Sequence, residues 1–150
     1  MAIDRKLTDR AVDDLREPLV DLSRRVHENP ELRWEEHRAA AWISEALEQL
    51  GNVQVERELG GYPTAFRAKS GNGQGPRAAI LAEYDALPEI GHACGRNLIA
   101  GGGVGAFVSL ARLGAELPGT VEIIGTPAEE GGGAEVQRAV ANLAVVGPGA

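Results

Sequence analysis

Two short stretches concentrate the side chains able to do chemistry in this chain of 150 residues. The first, "EYDALPEIGHACGRN", offers Glu83, Asp85, Glu89, His92 and the sole cysteine, Cys94, with Arg96 close behind. Carboxylate, imidazole and thiolate together suit zinc or another borderline transition metal. The second, "TPAEEGGG", sets the adjacent carboxylates Glu129 and Glu130 between a proline and three glycines. On an extended backbone, neighbours point to opposite sides, so one could bind a metal while the other reaches a metal-bound water. Each stretch alone also has a plainer reading. A lone cysteine is commonly a small buried hydrophobe, and paired glutamates are commonly a solvated turn. A third stretch, "GGGVGA", could offer free amides to a phosphate ahead of a helix. No lysine follows as in a P-loop and no strand directly precedes it, which favours close packing of a helix start.

Both acidic stretches follow apolar runs with strand character, and loops at the carboxyl ends of strands line the crevice of an open α/β sheet. Ala11, Val12, Leu15, Leu19, Leu22 and Val26 recur at three- and four-residue steps between Thr8 and His27, the stripe of an amphipathic helix. Pro18 inside that pattern kinks it or marks a second start. After "ENPEL", a second helix is predicted with Trp34, Ala41, Trp42, Ala46, Leu47 and Leu50 on one face, stopping at Gly51. "VQVER" and "PTAFRAKS" read as strands, and "RAAILAEYD" is apolar enough for a strand buried on both faces. A helix over the second half of "NLIAGGGVGAFVSLARLGAEL" and a strand in "PGTVEIIGTP" complete a strand, crossover, strand unit. The predicted fold class is therefore α/β. His27 sits at a helix end and His37 on a polar face, and neither is read as a ligand.

Composition sets outer limits. Apolar residues at 43% and charged residues at 25% fit one globular core. The net charge of −7, with both signs interleaved through the N-terminal half, predicts neither a nucleic-acid nor a membrane partner. A single cysteine, no secretory leader and no apolar span predict a cytoplasmic protein.

"HENPELRWEEHRAAAWISEALEQLG", "AILAEYDALPEIGHACGRNLIA" and "GTPAEEGGG", in this order and spacing, resemble the aminoacylase and amidohydrolase group of dinuclear metallopeptidases, peptidase family M20. The wording around Cys94 is most similar to its dipeptidase and aminobenzoyl-glutamate hydrolase branch. The resemblance covers about residues 22–133. It implies a three-layer α-β-α catalytic domain, two divalent ions (zinc, manganese or cobalt) and hydrolysis of the amide of an N-acyl amino acid or dipeptide. It further implies Glu129 as the general base, Glu130 and Cys94 as metal ligands, and Asp85 as a residue that orients the site.

Two departures qualify it. The family pattern has a metal-binding histidine where this chain has Arg96, and a guanidinium has no lone pair to offer and stays charged. Family members also continue into a further histidine ligand, an inserted dimerisation (lid) domain and a last ligand, none of which the 150 residues contain. The chain is thus expected to be the N-terminal part of the catalytic domain, with a divergent tail over 134–150. Its activity is expected to be weakened or lost; the alternatives are a non-catalytic binding module or the product of a broken gene. Uncovered apolar sheet faces are expected to favour aggregation.

Overall fold

The computed structural model describes residues 5–131. Among these residues four α-helices, α1 (Arg5–Asp13), α2 (Arg16–Glu28), α3 (His37–Gly51) and α4 (Arg96–Ala111), accompany four strands, β1 (Val55–Arg57), β2 (Phe66–Gly71), β3 (Arg77–Ala82) and β4 (Thr120–Gly125). The sheet order is β1-β2-β4-β3. β3 and β4 are parallel and joined through α4, the predicted crossover, whereas β1 and β2 run antiparallel to their neighbours. The chain is α/β as expected. The described residues supply the sheet and one helical layer, and the tail over 134–150 lies outside them.

Pro18 marks a second start. It falls in the first turn of α2, where its missing N–H costs no helical hydrogen bond. Leu22 and Val26 on α2 and Ile43 and Leu47 on α3 bury against α4 and the sheet. Each contributes about 1.5–3 kcal/mol of apolar transfer. α3 begins after Trp34 and buries Ala39, Ala40, Ile43, Ser44 and Leu47, so its inward face is rotated from the predicted one and Ala41 is exposed. Phe66, Ala68, Val121 and Ile123 point from the sheet into the same core. The other sheet face carries Lys69 and Arg77 paired to the buried Glu122.

Two further sequence expectations change. β3 is the edge strand of the described sheet rather than a strand buried on both faces. It pairs only with β4 there, and Arg77, Ala78, Ala79 and Leu81 are exposed. α4 spans the whole glycine-rich stretch, so Gly101, Gly102, Gly103 and Gly105 lie inside a helix and their amides belong to its ladder, not to a phosphate. The absence of side chains brings α4 close to α2: a Cβ at residue 105 would stand 2.7 Å from Leu19 Cδ1.

At the end of β4, Gly125 faces Phe66 across the ladder, and a Cβ there would run into the Phe66 ring. Phe66 is buried and stacked on Tyr84 at 5.6 Å, so it cannot swing clear. Gly125→Ala is expected to cost about 1–3 kcal/mol by overpacking, read as a lowered denaturant midpoint.

Candidate functional site

The loops following β3 and β4 meet, as the sheet topology requires, and their meeting point is a guanidinium. Gly95 adopts a left-handed conformation (φ 76°) as N-cap of α4, which makes Arg96 the first helical residue. From there its side chain enters a ring of carboxylates. Nη1 donates to Glu83, Nη2 to Glu129, and Nε to Glu130 at 2.9 Å. The four side chains are 15–30% exposed, so the cluster is only partly wet. Burial works against the Arg96 charge, but hydrogen bonding to Glu130 and the charges of Glu83, Glu129 and Glu130 outweigh it and hold the guanidinium pKa above its ordinary value.

Glu129 and Glu130 do not lie on an extended backbone. Glu129–Gly131 form a 3-10 turn entered through Ala128 at φ 59°, and this turn aims both carboxylates at Arg96 instead of splaying them. Asp85, fully buried, accepts the Glu130 N–H at 2.9 Å through Oδ2 and so fixes the middle of the turn. Its Oδ1 is buried without a hydrogen-bond partner among the described residues.

Cys94 is exposed, not a buried hydrophobe. Its thiol donates a hydrogen bond to Glu130, which raises the thiol pKa and lowers that of the Glu130 carboxyl, with Arg96 lowering the latter further. His92 is buried beside His27, with ring centroids 6.3 Å apart, and burial first and then the His27 charge lower its pKa. Glu89 is exposed on a left-handed residue (φ 66°) and stands outside the hydrogen bonds of the cluster. The structure therefore brings Glu83, Cys94, Arg96, Glu129 and Glu130 together, with Asp85 behind them, and leaves out Glu89. His27 and His37, read as non-ligands, lie at the last turn of α2 and the first residue of α3.

The sequence reading missed Glu36. It is fully buried, and its carboxylate accepts hydrogen bonds from the backbone N–H of Trp34 (2.9 Å), the N–H of Ala128 (2.8 Å) and the Thr64 hydroxyl (3.0 Å). Burial raises its pKa against the opposing effect of these donors. The one signal in the sequence was a second glutamate in "WEEH" at a position that precedes, rather than joins, the helical stripe.

A pair of divalent ions does not fit this donor set. The carboxylates that would hold metal are engaged by a fixed cation, the one thiol donates its hydrogen bond to one of them, and Arg96 offers no lone pair. Among the described residues, no group of three or more His, Cys, Asp or Glu is arranged to hold a metal ion. Nor is any helix there long and apolar enough to cross a membrane.

Comparison with known proteins speaks to the lineage of the chain. Residues 79–147 match the family model "Peptidase family M20/M25/M40". The chain is 43% identical over 138 residues to the Xaa-Arg dipeptidase of Mus musculus, covering 83% of this chain and 32% of that protein. It is 33% identical to one of the subunits of the p-aminobenzoyl-glutamate hydrolase of Escherichia coli (strain K12), over 85% of this chain and 30% of that one. A Bacillus subtilis structure described as a dinuclear metal binding peptidase from the M20 family superposes with a TM-score of 0.73 at 29% identity, covering 94% of this chain and 41% of its own. The chain spans about a third of the length of these curated relatives. With three motifs in family order, a family model matched over residues 79–147 and a matching fold, the chain is a partial-length relative of peptidase family M20/M25/M40.

Proposed function

We propose that this chain carries the architecture of metal-dependent hydrolases that cleave the amide of a dipeptide or N-acyl amino acid, and that Arg96 has switched that chemistry off. In this reading Glu129 descends from the general base, Glu130 and Cys94 from metal ligands, and Asp85 from the residue that orients them. The observation that carries the reading is the Arg96 guanidinium bonded at once to Glu83, Glu129 and Glu130. A fixed positive charge at that point repels a divalent ion. Two unit charges 4 Å apart interact by about 1 kcal/mol in water and about 4 kcal/mol near a protein surface, and a divalent ion doubles this. The relatives' names support the amide-bond substrate class, and the family match supports the metal-dependent lineage.

Equilibrium dialysis of the chain against zinc, manganese and cobalt tests this, together with an assay of amino acid release from dipeptides ending in arginine, from aminobenzoyl-glutamate and from N-acyl amino acids. The expected result is no stoichiometric metal and no release. Two ions per chain with amino acid released would overturn the reading.

A further inference from the structure

Among the described residues, Glu36 is the one fully buried acidic side chain that the proposed chemistry does not use and yet touches the acidic turn. An isolated buried carboxylate is among the costliest groups a core can hold, and an apolar side chain of similar size would pack there without that cost. Its surroundings are specific. A single oxygen, Oε1, accepts both the Trp34 and the Ala128 amides, although these residues are far apart in the chain. The other oxygen takes the Thr64 hydroxyl, and the Thr64 carbonyl in turn accepts the Tyr84 hydroxyl at 2.6 Å. Trp34 (φ 71°) and Ala128 (φ 59°) are both non-glycine residues in left-handed backbone, which costs about 1–3 kcal/mol each and persists only where surroundings enforce it.

We infer that Glu36 is the positioning residue of the Glu129–Glu130 turn: by accepting the Ala128 amide it holds the left-handed peptide that swings both carboxylates toward the position now filled by Arg96. The turn is then pinned at three points. Glu36 holds its entry, Asp85 holds the Glu130 amide, and the Ala128 carbonyl accepts the Gly131 N–H at 3.1 Å. The same oxygen fixes Trp34, whose exposed ring stacks on Tyr62 at 5.8 Å, so the aromatic pair and the acidic turn keep one relative placement. The inference rests on reading Glu129 and Glu130 as the descendants of the hydrolytic pair, but its test needs neither metal nor turnover.

The test is hydrogen exchange by NMR on the full chain, followed at the Trp34, Ala128 and Glu130 amides and at the Arg96 Nε–H, with the β2 and β4 amides as the internal measure of folding. Glu36→Gln keeps the length and can offer one oxygen to both amides while its NH2 reaches Thr64, so protection at all four sites is expected to survive. Glu36→Asp keeps the charge but falls one methylene short. Protection is expected to be lost at Ala128, Glu130 and Arg96 while the strands stay protected. Retained protection at Glu130 and Arg96 in folded Glu36→Asp overturns the inference, as does its loss in folded Glu36→Gln. A uniform fall across strands and turn would show a merely structural tie and overturns it too. Should Glu36→Asp not fold, the Gln arm decides alone. Metal uptake by the unaltered chain would sink the proposed function and leave these outcomes untouched.

Discussion

Replacing Arg96 with histidine is expected to confer the stoichiometric metal uptake that the proposed function expects the parent chain to lack. The substitution removes the guanidinium from Glu83, Glu129 and Glu130 and supplies a lone pair in its place. Relief of charge repulsion alone is worth about 2–8 kcal/mol between the water and surface limits. The upper part of that range exceeds the roughly 10–100-fold affinity changes that follow from disturbing groups behind a metal site. Calorimetric titration with zinc measures the gain. Cobalt adds a second readout, because a thiolate-to-cobalt absorption band requires Cys94 to give up the proton it now shares with Glu130. A variant that binds no better than the parent would show that Arg96 is not what excludes the ion.

Replacing Arg96 with methionine has the opposite intent and the largest expected effect on stability. It keeps most of the side-chain volume but leaves Glu83, Glu129 and Glu130 facing one another without a counter-charge. Breaking a fully buried pair costs about 3–5 kcal/mol and an exposed pair about 0–1. For carboxylates 16–30% exposed, the expected loss is about 2–3 kcal/mol, a fall in Tm of roughly 4–12 °C for a chain of this size.

The pH dependence has a definite sign. The Glu130 carboxyl is held below its ordinary value by Cys94 and Arg96, so its contribution is present above the unfolded carboxyl pKa and is lost as pH falls through the lower folded value. The gap between parent and Arg96→Met is therefore expected to be widest at neutral pH and to close in acid. Glu36 runs the other way: with its pKa raised by burial, its contribution is present below the unfolded value and lost as pH rises through the folded one. Melting curves across acid pH separate the two. In the parent, a chelator is expected to leave Tm unchanged because the fixed guanidinium already closes the ring.

What could be read in the chain before its fold was known divides along a physical line. Helices with one apolar stripe, such as α2, were legible from periodicity, because one buried face leaves a repeating mark. α4 was only half legible. It is central and apolar on nearly every side, and its glycines argue against a helix locally while permitting the close approach to α2 that holds it in place. The exposure of β3 was not legible at all, since an apolar run does not say whether the strand sits in the middle of a sheet or at its edge. The rotated face of α3 belongs to the same class: Trp34 fits the period but falls outside the helix, held instead by Glu36.

By itself the sequence carried the resemblance to the family and the expectation of a weakened metal site. The order of "ENPEL", "GHACGRN" and "TPAEEGGG" carries the resemblance, and Arg96, where that resemblance expects a histidine, stands out because residue chemistry is local: no fold can give a guanidinium a lone pair. Only the tertiary structure decided what the arginine does instead. Its three hydrogen-bond partners lie 13 to 34 residues away, and their convergence depends on a left-handed peptide at Ala128 and a buried carboxylate 92 residues before it. Contacts of that range are set by α4 packing against α3, β3 and β4 and by the pairing of β3 with β4, and no local pattern in the chain records them.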